Sequence, residues 1–308
     1  MLWVLALLSA LLVEFAGDTR TELLVARNQY ENAKARALAD AGVSLGVIGV
    51  LDPTPQSQFP ADGTPRSFQY GDGTIRVRVQ DEAGKFDLNA AAPELLANLM
   101  RTLGVADAEA VAVAQSIASW RRDHLALPPE DGRNLVPAPG RLPGAAFEAV
   151  EQLRLVPGVT RALYDRLFPF ITVYSGLPDV DPLTASVPVL RSLPGVNTQD
   201  IQNFIAQRQQ AITNPNALPS LAGAGFLAHR PVQAATIISE GRTQSGALFA
   251  RAATVVITRE PATPYHIVAW RQAQRDEQAT AEADAASAAA AASAAPLGNK
   301  GSLERGGD

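Results

Sequence analysis

Few side chains in this sequence are of the kinds that carry chemistry, and their spacing suits it poorly. There is no cysteine, which excludes disulfides, thiolate zinc sites and cysteine nucleophiles. The three histidines, His124, His229 and His266, lie far apart and never pair at metal-ligand spacing. Only Lys34, Lys85 and Lys300 are lysines, and none ends the glycine motif of a phosphate loop. Neither a nucleophile elbow nor a histidine-based triad can be assembled. Carboxylates do come in pairs, Asp81/Glu82 and Asp179/Asp181, and these read as loop and turn residues. The stretch Asp123 to Asp131 (DHLALPPED) gathers acids in a proline-rich loop after a helix. Oxygen-rich loops of this kind can hold calcium, but a twelve-residue calcium loop is missing, so a solvated loop is the better reading. The sequence reads as non-enzymatic and calls for no cofactor.

Backbone amides offer a second kind of chemistry. Three segments echo one another: Met100 to Val105 (MRTLGV), Leu153 to Val159 (LRLVPGV) and Leu190 to Val196 (LRSLPGV). In each, an apolar helix runs into a turn centred on Gly104, on Pro157-Gly158 or on Pro194-Gly195, and a second helix follows. Glycine permits the positive φ that ends a helix, and proline stops its continuation. This is a helix-hairpin-helix pattern. Such hairpins can grip DNA, because amides at the second helix's start point at phosphate. Here Asp107 and Glu109 follow the first turn and Asp200 the third, while only the second has nearby arginines, Arg161 and Arg166. The repeat reads as structural, and nucleic acid is not an expected partner. The charge agrees: 26 basic against 31 acidic side chains leave a net −5.

The elements around these turns follow from patterning. Leu2 to Val13 (LWVLALLSALLV) is apolar except for Ser9, and Glu14 ends the run. A bilayer-spanning helix needs roughly 20 apolar residues, so we expect a membrane segment whose true start lies upstream of Met1. From Asp18 the chain stays helical but turns amphipathic. Ala26, Tyr30, Ala33, Ala37, Ala41, Leu45 and Ile48 recur at spacings of three and four and trace one helix face. Fifty helical residues extend roughly 75 Å, the outline of an anchor with a stalk, and the alanine-rich stripe is the face expected to pack against partner helices. Ser67–Tyr70 and Ile75–Val79, joined by Gly71-Asp72-Gly73, read as a β-hairpin, and Phe249–Thr258 and Tyr265–Trp270 as a second β region. Strands on both sides of a helical block imply an inserted subdomain. The expected organisation is a membrane part (1–17), a stalk helix (18–52), a first β region (53–86), an inserted α-domain (87–230), returning strands (231–272) and a disordered Ala/Ser-rich tail (273–308). The fold class is α+β.

Several stretches then carry a resemblance. They are LWVLALLSALL near the start, Ala37 to Gly42 (ALADAG), Asp81 to Asn89 (DEAGKFDLN), Ile117 to Asp123 (IASWRRD), Glu148 to Thr160 (EAVEQLRLVPGVT), Thr172 to Gly176 (TVYSG) and Leu193-Pro194-Gly195. Together they resemble the minor pseudopilin K family of type II secretion systems, over about residues 1 to 271. The resemblance implies a pilin-like N-terminal helix on a small antiparallel sheet, with a large SAM-like, helix-hairpin-helix α-domain inserted. It further implies an inner-membrane protein with its globular part in the periplasm. Its partners would be other minor pseudopilins, the pseudopilus they cap and the secreted proteins. Relatives carry a longer acidic loop after the Trp-Arg-Asp motif, where some bind calcium. Here that loop is shortened to Leu125–Pro143, leaving Asp123, Glu130 and Asp131 as the local acids and no metal site assigned. Two other readings use the same elements: a membrane-anchored helix-hairpin-helix protein that takes up DNA, and a minor pilin of a type IV pilus. Acids after the turns disfavour the first, and the inserted helical block disfavours the second.

Overall fold

Nothing in the sequence breaks a helix before Pro53, and in the computed structural model helix α1 (Leu2–Leu51) is uninterrupted. The structure describes residues 2–52, 54, 58–123, 146–213, 221, 231–258, 260 and 262–273. Two strands follow α1, β1 (Arg66–Tyr70) and β2 (Gly73–Asp81), hinged at Gly71 with φ +60°. The chain then leaves for a helical domain. This comprises a 3-10 turn (Glu82–Gly84), β3 (Phe86–Asp87), α2 (Pro93–Thr102), α3 (Asp107–Asp123), a 3-10 helix (Val150–Leu155), α4 (Arg161–Leu167), β4 (Ile171–Thr172), α5 (Val187–Ser192) and α6 (Thr198–Thr213). It returns as β5 (Ala234–Arg242), β6 (Leu248–Ile257) and β7 (Tyr265–Gln272).

The described strands form a sheet in the order β1-β2-β5-β6-β7, with every neighbouring pair antiparallel. Strand β2 pairs with β5 from Thr74↔Arg242 to Asp81↔Ala235, so the helical domain is inserted between adjacent strands. Helix α1 lies across β2, β5 and β6. Their shared core holds Leu38, Val47, Val50, Ile75, Val77, Val79, Ala235, Ile237 and Val255. The approach is close because small residues line it. A Cβ on Gly42 would sit 2.5 Å from Ile75 Cγ2, and one on Gly241 2.6 Å from the backbone nitrogen of Ala39. A second core, built on Leu95, Leu99, Met100, Ile117, Leu153, Leu163 and Phe204, belongs to the helical domain.

Three features depart from the sequence expectation. The central strand β5 carries no strand pattern in the sequence. Its helix-facing residues Ala235, Ile237, Ser239 and Gly241 are mostly small, because α1 presses on them, and therefore lack an apolar alternation. The two-residue parallel pair β3–β4 is too short to leave a pattern. In the second hairpin the element before the turn is a 3-10 helix, not an α-helix. Most of the loop after α3, with Glu130 and Asp131, lies outside the described residues, as do residues 274–308 of the Ala/Ser-rich tail. Among the described residues, no helix is long and apolar enough to cross a membrane.

Candidate functional site

Which face of α1 remains open is fixed by how the helix is held. Lys34 pairs with Asp72 in the β1–β2 turn, and Ser245 in the β5–β6 turn donates to Glu31. Arg251 of β6 reaches Asp40 at 2.7 Å. The Ser245 hydroxyl, then Thr243, holds the Glu31 carboxyl below its usual range, and Asp72 holds the Lys34 ammonium above its own. With the helix locked in rotation, its sheet face consists of Ala35, Leu38, Ala39, Gly42, Val43, Gly46, Val47 and Val50, all buried. The stripe expected from the sequence lies on the other side. At 3.6 residues per turn Ala26, Ala33 and Ala37 fall roughly opposite Gly42, while Leu45 falls towards its side. Ala26, Tyr30, Ala33, Ala37 and Ile48 are exposed, Tyr30 to 67% and Ile48 to 64%, while Ala41 and Leu45 are half-buried at its border. Within this chain a different face meets the sheet, so the stripe expected to face partner helices is not the one that docks the stalk on its own sheet. Apart from Ala41 and Leu45, which border the sheet core, the stripe is left uncovered, and towards its start residues 21–30 are exposed on every side, Leu23, Leu24 and Val25 among them. An apolar strip this long on the surface is a place for another macromolecule.

The hairpin turns have the backbone that their residues require. Gly104, Gly158 and Gly195 have φ of +83°, +89° and +78°. The first turn closes with Val105 N–H on Met100 O at 2.9 Å, a Schellman-type bond. The helix starts after the second and third turns are already capped from within. Thr160 Oγ1 accepts from Leu163 N–H at 3.2 Å, and Asn197 Oδ1 from Asp200 N–H at 2.8 Å. After the first turn Asp107 pairs with Arg101. Amides occupied by their own caps, beside carboxylates, suit packing better than phosphate binding.

The third candidate region, Asp81 to Asn89, joins the sheet to the helical domain. Asp81 and Glu82, read from sequence as turn residues, are buried, as is Asp181. Each is held by hydrogen bonds, Asp81 and Asp181 to backbone amides and Glu82 to side chains. Asp81 Oδ1 accepts from Ala83 N–H at 2.9 Å and Asp181 Oδ1 from Leu183 N–H at 2.8 Å. Asp181 N–H donates to Ala83 O at 2.8 Å, and Gln80 Nε2 to Thr184 O at 2.7 Å, which clips the 181–184 loop to the end of β2. Glu82 accepts from Lys85 Nζ and from Thr236 of β5, each at 2.6 Å. Asp87 gathers Asn89 N–H, Gly176 N–H and Ser175 Oγ. Burial nonetheless holds its carboxyl above the usual range. Asn89 clamps the Phe147 backbone with two bonds, at 2.9 and 2.8 Å. Arg121, from the Trp-Arg-Arg-Asp segment, donates to Leu88 O and Ala91 O. These residues carry the join between two bodies, and nothing in their arrangement pairs a nucleophile with a base. Among the described residues, no group of three or more His, Cys, Asp or Glu could hold a metal ion.

Comparison with known proteins places the middle of the chain. Residues 78–176 match the family model described as type II secretion system (T2SS), protein K. The type II secretion system protein K of Pseudomonas aeruginosa is 30% identical over 162 residues, covering 47% of each protein. The chain thus matches about half the length of that curated relative. Among solved structures, a chain of the GspK-GspI-GspJ complex of the enterotoxigenic Escherichia coli type 2 secretion system aligns over 83% of this chain and 99% of its own. The identity there is 18% and the TM-score 0.45.

Proposed function

We propose that this chain, whose residues 78–176 carry the protein K domain of type II secretion, is a minor pseudopilin that caps the pseudopilus tip. In this reading it is an assembly component, not an enzyme. Its apolar start seats it in the inner membrane, its globular part stands in the periplasm, and the filament it caps helps move folded proteins across the outer membrane. The observation that carries the reading is the two-sided helix. One face of α1 is spent on its own sheet, and Ala26, Tyr30, Ala33, Ala37 and Ile48, away from that face, are free for the helices of other minor pseudopilins. The capping position follows from bulk. A head enlarged by an inserted domain would collide with the next head up a tightly pitched filament, whereas a single copy at the end has no neighbour above.

The test is cross-linking in the membrane. Cysteines at Tyr30 and Ala37, on the bare stripe, should join the protein to other minor pseudopilins at about one copy per filament. Cysteine at Ala39, buried against the sheet, should give no product. Self-cross-links as the main species, or long homopolymers, would refute the capping role.

A further inference from the structure

Asp81 stands at the last position of β2, where the chain leaves the sheet for the helical domain. It is 1% exposed. One carboxyl oxygen accepts the Ala83 amide, and the other, Oδ2, is buried without a hydrogen-bond partner. The residue lines a small cavity with Ala83, Ser175, Leu177, Gln233 and Ala234, about 10 Å³ in volume and so barely the size of one water. Ser175 offers it no proton, since its hydroxyl donates to Asp87.

The charges around Asp81 make an ionised form expensive. Asp181, on the loop clipped to Ala83, and Glu82, the next residue, both repel it. Lys85 attracts it, but the Lys85 ammonium is bonded to Glu82. A calcium ion is a poor substitute, because it takes six to eight oxygen ligands and the cavity holds about one water's volume. A proton is the smallest charge that fits.

We propose that Asp81 is a proton-operated clip, neutral while the junction between the sheet and the helical domain is closed, and weakening that junction when it ionises. Burial first, and Asp181 and Glu82 after it, push its carboxyl up to about 7, against an ordinary 3.8. Between those values the folded chain holds a proton that the unfolded chain has released. Stability therefore falls as pH rises through that window and is fully retained only below it. One proton's difference makes the unfolding constant rise about tenfold per pH unit. Ionised Asp81 would also push on the Asp181 loop, so the bond from Asp181 N–H to Ala83 O should open more often.

The experiment follows unfolding of the full chain from pH 5 to pH 9 for the wild type and for Asp81→Asn, which keeps the acceptor for Ala83. The Asp81 carboxyl carbon is titrated by NMR in the wild type. We expect the unfolding constant to climb about tenfold per unit between pH 5 and 7 and to flatten above pH 8. The variant should lose most of that slope, and the protection of the Asp181 amide, its exchange rate relative to the intrinsic rate at each pH, should fall with pH in the wild type alone. Asp87 contributes equally to both proteins, so their difference isolates Asp81. Equal slopes, or a carboxyl midpoint near 4, would overturn the proposal. So would calcium restoring the wild type at pH 8 but not the variant, since the site would then hold a cation. If the variant does not fold, the wild-type carboxyl titration decides alone.

Discussion

Gly241→Ala is the sharpest test of how α1 is seated. The added Cβ would lie 2.6 Å from Ala39 N and 2.7 Å from Leu38 Cβ, and nearer still to Ala35 O. Two of these atoms are helix backbone, so no side chain can swing aside to relieve them. Ordinary contact begins at 3.4 Å, so the helix must retreat by close to 1 Å along Ala35–Ala39. A radial gap of that size forfeits a quarter to a half of each dispersion contact across it. The seam includes Ala35, Leu38, Ala39, Val43, Val47 and Val50, all buried. Overpacking typically costs 1–3 kcal/mol, and backbone-on-backbone crowding puts this case at about 3 kcal/mol. At roughly 2–4 °C per kcal/mol for a protein of this size, thermal unfolding should drop by about 6–12 °C. Melting followed by circular dichroism is the assay. A change of under 2 °C would mean that α1 does not press on β5 there, and the argument for a face left free would fall with it.

Two further substitutions probe the helical domain. Gly158→Val places a β-branched side chain at φ +89° and sets its Cβ 3.3 Å from Val113 Cγ2. It should cost about 1–3 kcal/mol, and an unchanged denaturation midpoint would show that the turn relaxes freely. Asn89→Ala removes both bonds to the Phe147 backbone and leaves a buried amide and carbonyl with one partner fewer. About 2 kcal/mol is expected in urea unfolding, and a loss under half of that would mean that water replaces the clamp.

How much of this was legible in the sequence differs from element to element. The extent of α1 was, because no proline or turn cluster interrupts it before Pro53. Its docking face was not. The helix is apolar on several sides, and the face that meets the sheet is marked by Gly42 and Gly46, which carry no hydrophobic signal and matter only for closeness. The alanine stripe was the more regular pattern, and it is the exposed one. The hairpin glycines were readable because a positive φ demands a specific residue type. Asp81 and Glu82 read as turn residues in sequence. That Asp81 and Asp87 are buried anchors emerges only when the 175–184 stretch folds back across about 100 residues to meet Asp87 and Ala83.

The insertion between β2 and β5 has a consequence for the order in which the protein acquires structure. In the unfolded chain, pairing Asp81 with Ala235 closes a loop of about 150 residues. At roughly 0.6 kcal/mol per doubling, that costs about 3 kcal/mol more than a tight turn of five. If the helical domain has already condensed, the Asp181–Ala83 and Gln80–Thr184 bonds hold the 181–184 loop near its entrance, and the loop still to be closed shortens to the roughly 50 residues between Thr184 and Ala234. The route of low contact order thus builds the insert first, zips β2 against β5 next, and covers α1 last. The segment synthesised earliest waits longest for its binding surface, and through that wait both its faces are bare.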